Sequence, residues 1–318
     1  MQSWAGSSEK LEHVIVIACP GQGSQTPGFL TEWLDLPGAR DFLREASERS
    51  GVDLLAHGTE SDADTIRDTA IAQPLIVAAS LLAWQELAAR TDLSNVGVAG
   101  HSVGEFAAAA IAGVLPAGDA LQLVGVRGRA MAESAARTET GMAAVVGGVE
   151  EAVLAKITEH GLTAANRNGG GQIVAAGSLP ALAALASDAP RGARVIQLQV
   201  AGAFHTDYMA DAIPALASAA TGVTPAEPTH TLWTNADGSR VESGARYVEL
   251  LVSQIANPVR WDACMAGFQD AGITGLIELT PAGALSGIAK RALRGVPSVA
   301  IKSPADLDAA VALIADAA

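Results

Sequence analysis

Val96-Gly97-Val98-Ala99-Gly100-His101-Ser102-Val103-Gly104-Glu105-Phe106 is the stretch that decides how the rest of this sequence is read. Its first residues are small or branched and apolar, the composition of a buried strand. Its continuation, Ala107-Ala108-Ala109-Ala110-Ile111-Ala112-Gly113, favours a helix. Between them lies Gly100-x-Ser102-x-Gly104. This is the spacing of a nucleophile elbow, where a sharp strand-to-helix turn holds a serine hydroxyl at the edge of a sheet. A Cβ at either glycine would crowd such a turn, and glycine tolerates unusual dihedrals. The serine would sit at a helix N-terminus, where free N–H groups favour negative charge. The same residues also spell Ser102-x-x-Glu105, a capping box. Taken alone, the stretch is compatible with a nucleophile, with a cap, or with both.

Composition narrows the classes of function. A chain of 318 residues accommodates one large domain or two moderate ones. Hydrophobic residues make up 49%, enough for a substantial core and contrary to disorder. Aromatic residues are only 4%, and the abundance of alanine and glycine points to helices packed tightly against a sheet. A net charge of −14 and a pI of about 4.8 argue against nucleic acid as a partner. Any acidic partner must dock on a local basic patch. Cys19 and Cys264 lie far apart without metal-ligand spacing, so both are expected to be small buried hydrophobes and no metal is expected. A disulfide-poor acidic chain reads as cytoplasmic. The polar stretch Met1–Glu12 lacks the apolar segment of a signal peptide. The longest apolar run, Leu75–Trp84, is too short to span a membrane.

Along the chain, His13–Cys19 reads as a buried strand that ends in Pro20-Gly21-Gln22-Gly23-Ser24-Gln25. Gly21-x-Gly23 lacks the third glycine of a dinucleotide fingerprint, because position 26 is Thr26, and no Walker lysine follows. That loop is either a tight turn or a source of backbone N–H groups for a site. Helices are expected over 38–49, 62–68, 69–90 and 116–137, with Pro74 a break or a first-turn position. From about Thr140 the pattern changes. A strand at 142–147, an amphipathic helix at 149–160, short strands at 162–166 and 172–176 around an Asn/Gly loop (166–171), a helix at 180–187 and a strand at 193–200 follow one another. This β-α-β-β-α-β order is the ferredoxin-like pattern. It predicts a small domain at 139–204 inserted into a larger one (13–138 and 205–318), behind a polar tail at 1–12. Helices at 209–220, 245–256, 261–272 and through Arg294, with strands at 231–235 and 274–280, complete the large domain.

Several motifs at consistent separations resemble one family. They are Pro20-Gly21-Gln22-Gly23-Ser24-Gln25, Gly100-His101-Ser102-Val103-Gly104-Glu105, Arg127-Gly128, Asn166-x-Asn168, Ala203-Phe204-His205 and Gln254-x-x-x-Pro258-Val259-Arg260-Trp261. Together they resemble the malonyl-CoA:acyl-carrier-protein transacylases, close in texture to actinobacterial members, over residues 13–305. The resemblance implies an α/β fold, with an α/β-hydrolase-like large domain built on a parallel sheet and an inserted ferredoxin-like small domain. It implies transfer of malonyl from malonyl-CoA to the phosphopantetheine thiol of holo acyl carrier protein, by a ping-pong route through a malonyl-serine, in fatty acid biosynthesis. The CoA thioester is then substrate, and no cofactor is required.

By that resemblance Ser102 is the nucleophile and His205 its base and later the acid, oriented by the Gln254 backbone carbonyl as a dyad. The N–H groups of Val103 and Gln22 form the oxyanion hole. Arg127 offers the malonyl carboxylate a planar two-donor match, whereas Arg129 is a surface residue. Phe204 and Val103 resemble the malonyl-selective subset of related acyltransferases, the phenyl ring crowding a methyl branch. The 166–171 loop either touches the pantetheine arm or is a polar turn. Lys290, Arg291 and Arg294 either dock the acidic carrier or form a solvated helix face. Many relatives have Gly-Pro-Gly where this chain has Thr280-Pro281-Ala282-Gly283. The competing readings are a serine esterase or thioesterase of α/β-hydrolase type, a non-catalytic carrier-docking module, and malonyl loading for a polyketide synthase. The esterase needs an acid between Ser102 and a late histidine, whereas Asp207 and Asp211 follow His205.

Overall fold

The computed structural model describes residues 14–317; the polar tail expected at 1–12 and His13 lie outside them. β1 (Val14–Cys19) is followed by α1 (Ala39–Ser50), α2 (Leu54–Thr59) and α3 (Thr69–Ala88). β2 (Val96–Gly100) leads into α4 (Gly104–Ile111) and α5 (Ala117–Ala135). The middle of the chain runs β3 (Thr140–Gly147), α6 (Glu150–Glu159), β4 (Thr163–Gly169), β5 (Gln172–Ser178), α7 (Leu179–Ser187) and β6 (Ala193–Gln197). The last third runs α8 (Ile213–Ala220), β7 (Thr231–Trp233), α9 (Gly244–Ser253), α10 (Trp261–Asp270), β8 (Ile273–Glu278), α11 (Ala284–Ala292), β9 (Ser298–Ala300) and α12 (Leu307–Asp316).

These strands make two sheets. The first is parallel, in the order β7-β2-β1-β8-β9. Its strands are apolar on both faces because helices cover both faces. Ile15, Ile17 and Cys19 face a core shared with Leu75 of α3 and Phe106 of α4. The alternate residues Val16 and Ala18 face the opposite core, with Trp261 and Phe268 of α10. The second sheet is antiparallel, in the order β4-β5-β3-β6. The same period of two divides it. Ala143, Val145 and Ile173 pack on Val153 and Ile157 of α6 and on Leu182 and Leu185 of α7. Met142, Ala144 and Val174 belong to the larger core and line a cavity facing the ends of β1 and β2. An α/β fold with a parallel sheet is therefore what the chain forms.

Several expected boundaries move. The strand expected to end at Asn166 runs on through Asn168, which lies within β4 and not in a loop; register irregularities beside both keep an asparagine- and glycine-rich stretch paired to β5. Residues 62–68 hold only a 3-10 turn, Thr65–Arg67. The helix expected over 245–256 tightens into 3-10 geometry at Gln254–Ala256. α2, β9 and α12 have no counterpart among the expected elements. Pro74 lies inside α3 without ending it. α3 is the one helix among the described residues long and apolar enough to cross a membrane, yet 14 of its 20 residues are buried in the protein core.

The carboxyl ends of β1 and β2 set the turn that follows β2. A Cβ on Gly104 would stand 2.2 Å from the carbonyl oxygen of Cys19, and one on Gly100 would stand 2.2 Å from the carbonyl carbon of Gly104. Neither glycine has a positive φ; the unusual dihedral falls on Ser102, at 53°. The glycines thus serve close approach, and the dihedral freedom expected of them is not used. Gly100→Ala or Gly104→Ala is expected to lower stability by about 3 kcal/mol, through a backbone clash that no rotamer relieves. Gly287→Ala in α11, where an added Cβ meets nothing within 4 Å, is expected to raise it by about 0.5–1 kcal/mol. Thermal unfolding of the three variants measures both effects.

Candidate active site

Ser102 Oγ lies 2.7 Å from His205 Nε2, across 103 positions of sequence. Both residues hold left-handed backbone, with φ of 53° and 61°, at a cost of about 1–3 kcal/mol each. Each turn is pinned by its neighbours. His101 N–H donates to the Cys19 carbonyl at 2.9 Å and Gly104 N–H to the His101 carbonyl at 2.9 Å. Around His205, Thr206 Oγ1 donates to the Ala203 carbonyl at 2.6 Å and Ala203 N–H to Thr140 Oγ1 at 3.0 Å.

The histidine's other nitrogen, Nδ1, is 2.9 Å from the Gln254 carbonyl oxygen. A carbonyl only accepts, so Nδ1 carries the proton and Nε2 is free to accept from Ser102. Burial, and after it the Arg127 charge, push the imidazole from the usual 6.5 down to about 3. The ring is therefore neutral near pH 7, the form a general base requires. Among the described residues no carboxylate bonds to this ring, and Asp211 pairs instead with Arg137. The capping box does not form. α4 begins after Val103 without a side-chain cap, and Glu105 turns its carboxylate inward to the Asn235 N–H at 2.7 Å.

Arg127, on α5, is fully buried and lines the same cavity. Its guanidinium donates to Gln73 Oε1 at 2.7 Å and to Gln254 Oε1 at 2.8 Å, and stands 5.8 Å from the centroid of the Phe106 ring. Among the described residues no carboxylate is within ion-pair distance of it, and its Nε has no acceptor. Burial lowers its pKa to about 10, with the Glu105 charge opposing, so it stays cationic at neutral pH. A buried cation without an ion pair is costly, and a carboxylate in the cavity would gain charge-assisted bonds from it.

Gln254 joins these parts. Beyond the backbone contact to His205, its Nε2 donates to the Ser102 carbonyl at 3.1 Å and to the Glu105 carboxylate. Burial pushes the Glu105 carboxyl up to about 7 against those hydrogen bonds. Sequence reasoning anticipated the Gln254 carbonyl alone. It missed the Gln254 side chain, Gln73, Glu105 and Asn235. The available signal for Gln73 and Glu105 was a polar residue inside an otherwise apolar helix.

The cavity has a volume of about 250 Å³ and is lined by Ser102, Val103, Arg127, Phe204, His205 and Gln22, among others. The Gln22 side chain donates to the Arg67 carbonyl at 3.1 Å and that of Gln25 to the Ile66 carbonyl at 3.2 Å, which anchors the glycine-rich loop on the 3-10 turn. Among the described residues neither Gln22 N–H nor Val103 N–H has a protein acceptor. Such free amides beside a nucleophile can stabilise an oxyanion. His101 also lines the cavity, with Nε2 2.9 Å from Asn168 Oδ1 and its ring edge-on to Trp261. Among the described residues Arg129 makes no ion pair; it donates to the Ser50 carbonyl at 2.8 Å. Lys290 and Arg291 are exposed in the last turn of α11, and Arg294 is exposed just beyond it. Both cysteines are buried and free, and among the described residues no cluster of His, Cys, Asp and Glu could hold a metal ion.

Residues 16–310 match the acyl transferase domain family. A malonyl CoA-acyl carrier protein transacylase of Mycobacterium tuberculosis is 54% identical over 297 residues, which are 93% of this chain and 98% of that protein. The crystal structure of MCAT from Mycobacterium tuberculosis superposes with a TM-score of 0.91 at 54% identity, covering 94% of this chain and all 100% of the other. A malonyl-transacylase solved in complex with its holo type II PKS acyl-carrier protein superposes at 0.87 with 28% identity, covering 94% and 99%. With the paired Ser102 and His205 at the end of a parallel sheet and this extent of likeness, the chain belongs to the acyl transferase domain family, among its malonyl CoA-acyl carrier protein transacylases.

Proposed function

We propose that the chain moves a malonyl group from malonyl-CoA to the phosphopantetheine thiol of a holo acyl carrier protein, in fatty acid biosynthesis. The observation that carries the substrate class is Arg127, a buried cation without an ion pair among the described residues, in the cavity that holds Ser102 and His205. The names of the relatives agree with it.

In the first half-reaction His205 Nε2 takes the proton of Ser102 Oγ as the oxygen attacks the thioester carbonyl. The N–H groups of Val103 and Gln22 receive the oxyanion, and the protonated ring returns its proton to the departing CoA sulfur. In the second half-reaction the carrier thiol gives its proton to His205 and attacks the malonyl ester; Ser102 leaves and is reprotonated. Gln254 keeps the ring in the Nδ1–H tautomer throughout. Arg127 binds the distal carboxylate, and Phe204 narrows the space beside the carbon between the two carbonyl groups. Discrimination against one added methyl at such a wall is about 1–3 kcal/mol.

The β-α-β-β-α-β order and the strand order β4-β5-β3-β6 support a ferredoxin-like domain over 139–204, inserted in an α/β-hydrolase-like one over 13–138 and 205–318. The reading is completed by a cytoplasmic setting without membrane or nucleic-acid partner, by the absence of a cofactor, and by carrier docking on the exposed Lys290, Arg291 and Arg294. An esterase of the triad type is disfavoured because the His205 Nδ1 proton goes to a carbonyl.

Arg127→Ala is expected to lower malonyl transfer by about 10- to 100-fold while acetyl transfer persists. Equal loss for malonyl and acetyl thioesters in a paired transfer assay contradicts the assignment. The neutral ring is the active form, so a lowered pKa shifts the acid limb of kcat/KM to lower pH. The profile is expected to stay flat as pH falls through 6.5 and to drop only towards about 3–4 or at the limit of folding. An acid limb centred near 6.5 contradicts it.

A further inference from the structure

We infer that Asn235, which no part of the proposed reaction uses, is a positioning residue that holds the Ser102 turn in its left-handed backbone. Asn235 lies two residues past the end of β7, which pairs in parallel with β2, and it is fully buried. That register brings it beside the turn that follows Gly100. Its Oδ1 accepts the Ser102 N–H at 2.7 Å, and its Nδ2 donates to the Gly100 carbonyl at 2.6 Å. One planar amide thus spans the turn from both sides. Ser102 precedes α4 and Gly100 ends β2, so neither the helix nor the sheet ladder supplies these bonds.

The arrangement demands an amide. A carboxylate brings no donor for the Gly100 carbonyl, and an aliphatic side chain leaves that buried carbonyl and the half-buried Ser102 N–H without these partners. Asn235 is itself fixed through both of its backbone polar groups. Its N–H donates to Glu105 Oε1 at 2.7 Å, and its carbonyl accepts from Arg260 N–H at 2.8 Å. The same Glu105 carboxylate accepts from Gln254, whose carbonyl orients His205. The nucleophile and the base are therefore referred to one buried carboxylate, one through Asn235 and the other through Gln254. Asn235 does not line the cavity, so it acts through Ser102 and not on the substrate.

The inference rests on Ser102 being the acyl acceptor. The test is the single-turnover rate of enzyme malonylation, followed by intact mass, for the full chain and for Asn235→Ala and Asn235→Asp. Asn235→Ala is expected to slow malonylation by about 100-fold, the scale of a reacting atom displaced by about an ångström. The malonyl-CoA concentration for half-maximal rate is expected to change less than about threefold, and the malonyl-to-acetyl ratio to stay unchanged, because Arg127 is untouched. In Asn235→Asp the new carboxyl can both accept and donate only when protonated. Its rate should therefore climb as pH falls from about 8 to about 5, where the parent profile is flat. A rate in Asn235→Ala within about threefold of the parent, a loss confined to half-saturation, or a flat profile in Asn235→Asp overturns the inference. So does failure of both variants to fold, which would assign Asn235 to stability alone. Absence of any malonyl adduct in the parent chain would instead sink the reading of Ser102.

Discussion

The hydrogen bond between Ser102 and His205 is the contact on which the rest of the structure depends. It joins two residues that both hold left-handed backbone, and such strain persists only where the surroundings over-determine it. On the serine side the constraint is the approach of Gly104 to the end of β1 and of Gly100 to Gly104, closer than any Cβ allows. On the histidine side it is the Gly202–Thr206 turn, tied back to Thr140 at the start of β3. The two halves of the pair come from different layers. The parallel sheet presents the hydroxyl, and the segment leaving the antiparallel sheet presents the ring. Folding both sheets correctly is thus a condition for a contact between two side chains.

Electrostatics then decides what such a pair can do. A neutral imidazole suits a base, and its neutrality follows from burial and from the nearby guanidinium. That guanidinium is itself held in the protein by amide oxygens of Gln73 and Gln254 and not by a carboxylate. A carboxylate partner from the protein would have filled its donors and cancelled its charge. Amide partners fix its geometry and leave the charge available to a ligand. A bound carboxylate would offset part of the field that holds the ring's basicity down, so the substrate's own charge favours the proton transfer it needs. Gln254 ties these effects together, because its backbone orients the ring and its side chain orients the cation.

Much of this was legible in the sequence because it rests on local rules. The strand, the helix and the glycine spacing around Ser102 identify the turn, and the β-α-β-β-α-β order between Thr140 and Gln197 is the order observed. The rest was hidden where local rules conflict with tertiary pairing. Asn168, beyond the expected strand end at Asn166, read as a loop because asparagine and glycine disfavour strands, yet register irregularities in β4 accommodate it. Glu105 read as half of a capping box, since its real partners, Asn235 and Gln254, lie 130 and 149 positions away. Gln73 was lost in an apolar helix for the same reason, its partner being 54 positions away. The dihedral strain was assigned to the glycines, but contact distances across the turn, which no sequence displays, place it on Ser102.

Location of the acyl group tests the central claim most directly. The chain is mixed with malonyl-CoA alone, quenched, and mapped by peptide mass spectrometry, then chased with holo acyl carrier protein. The account predicts one malonyl group on the peptide containing Ser102, stable to water over the time in which the carrier thiol removes it. A malonyl group on another residue, or an ester that water clears as fast as the carrier does, would contradict it.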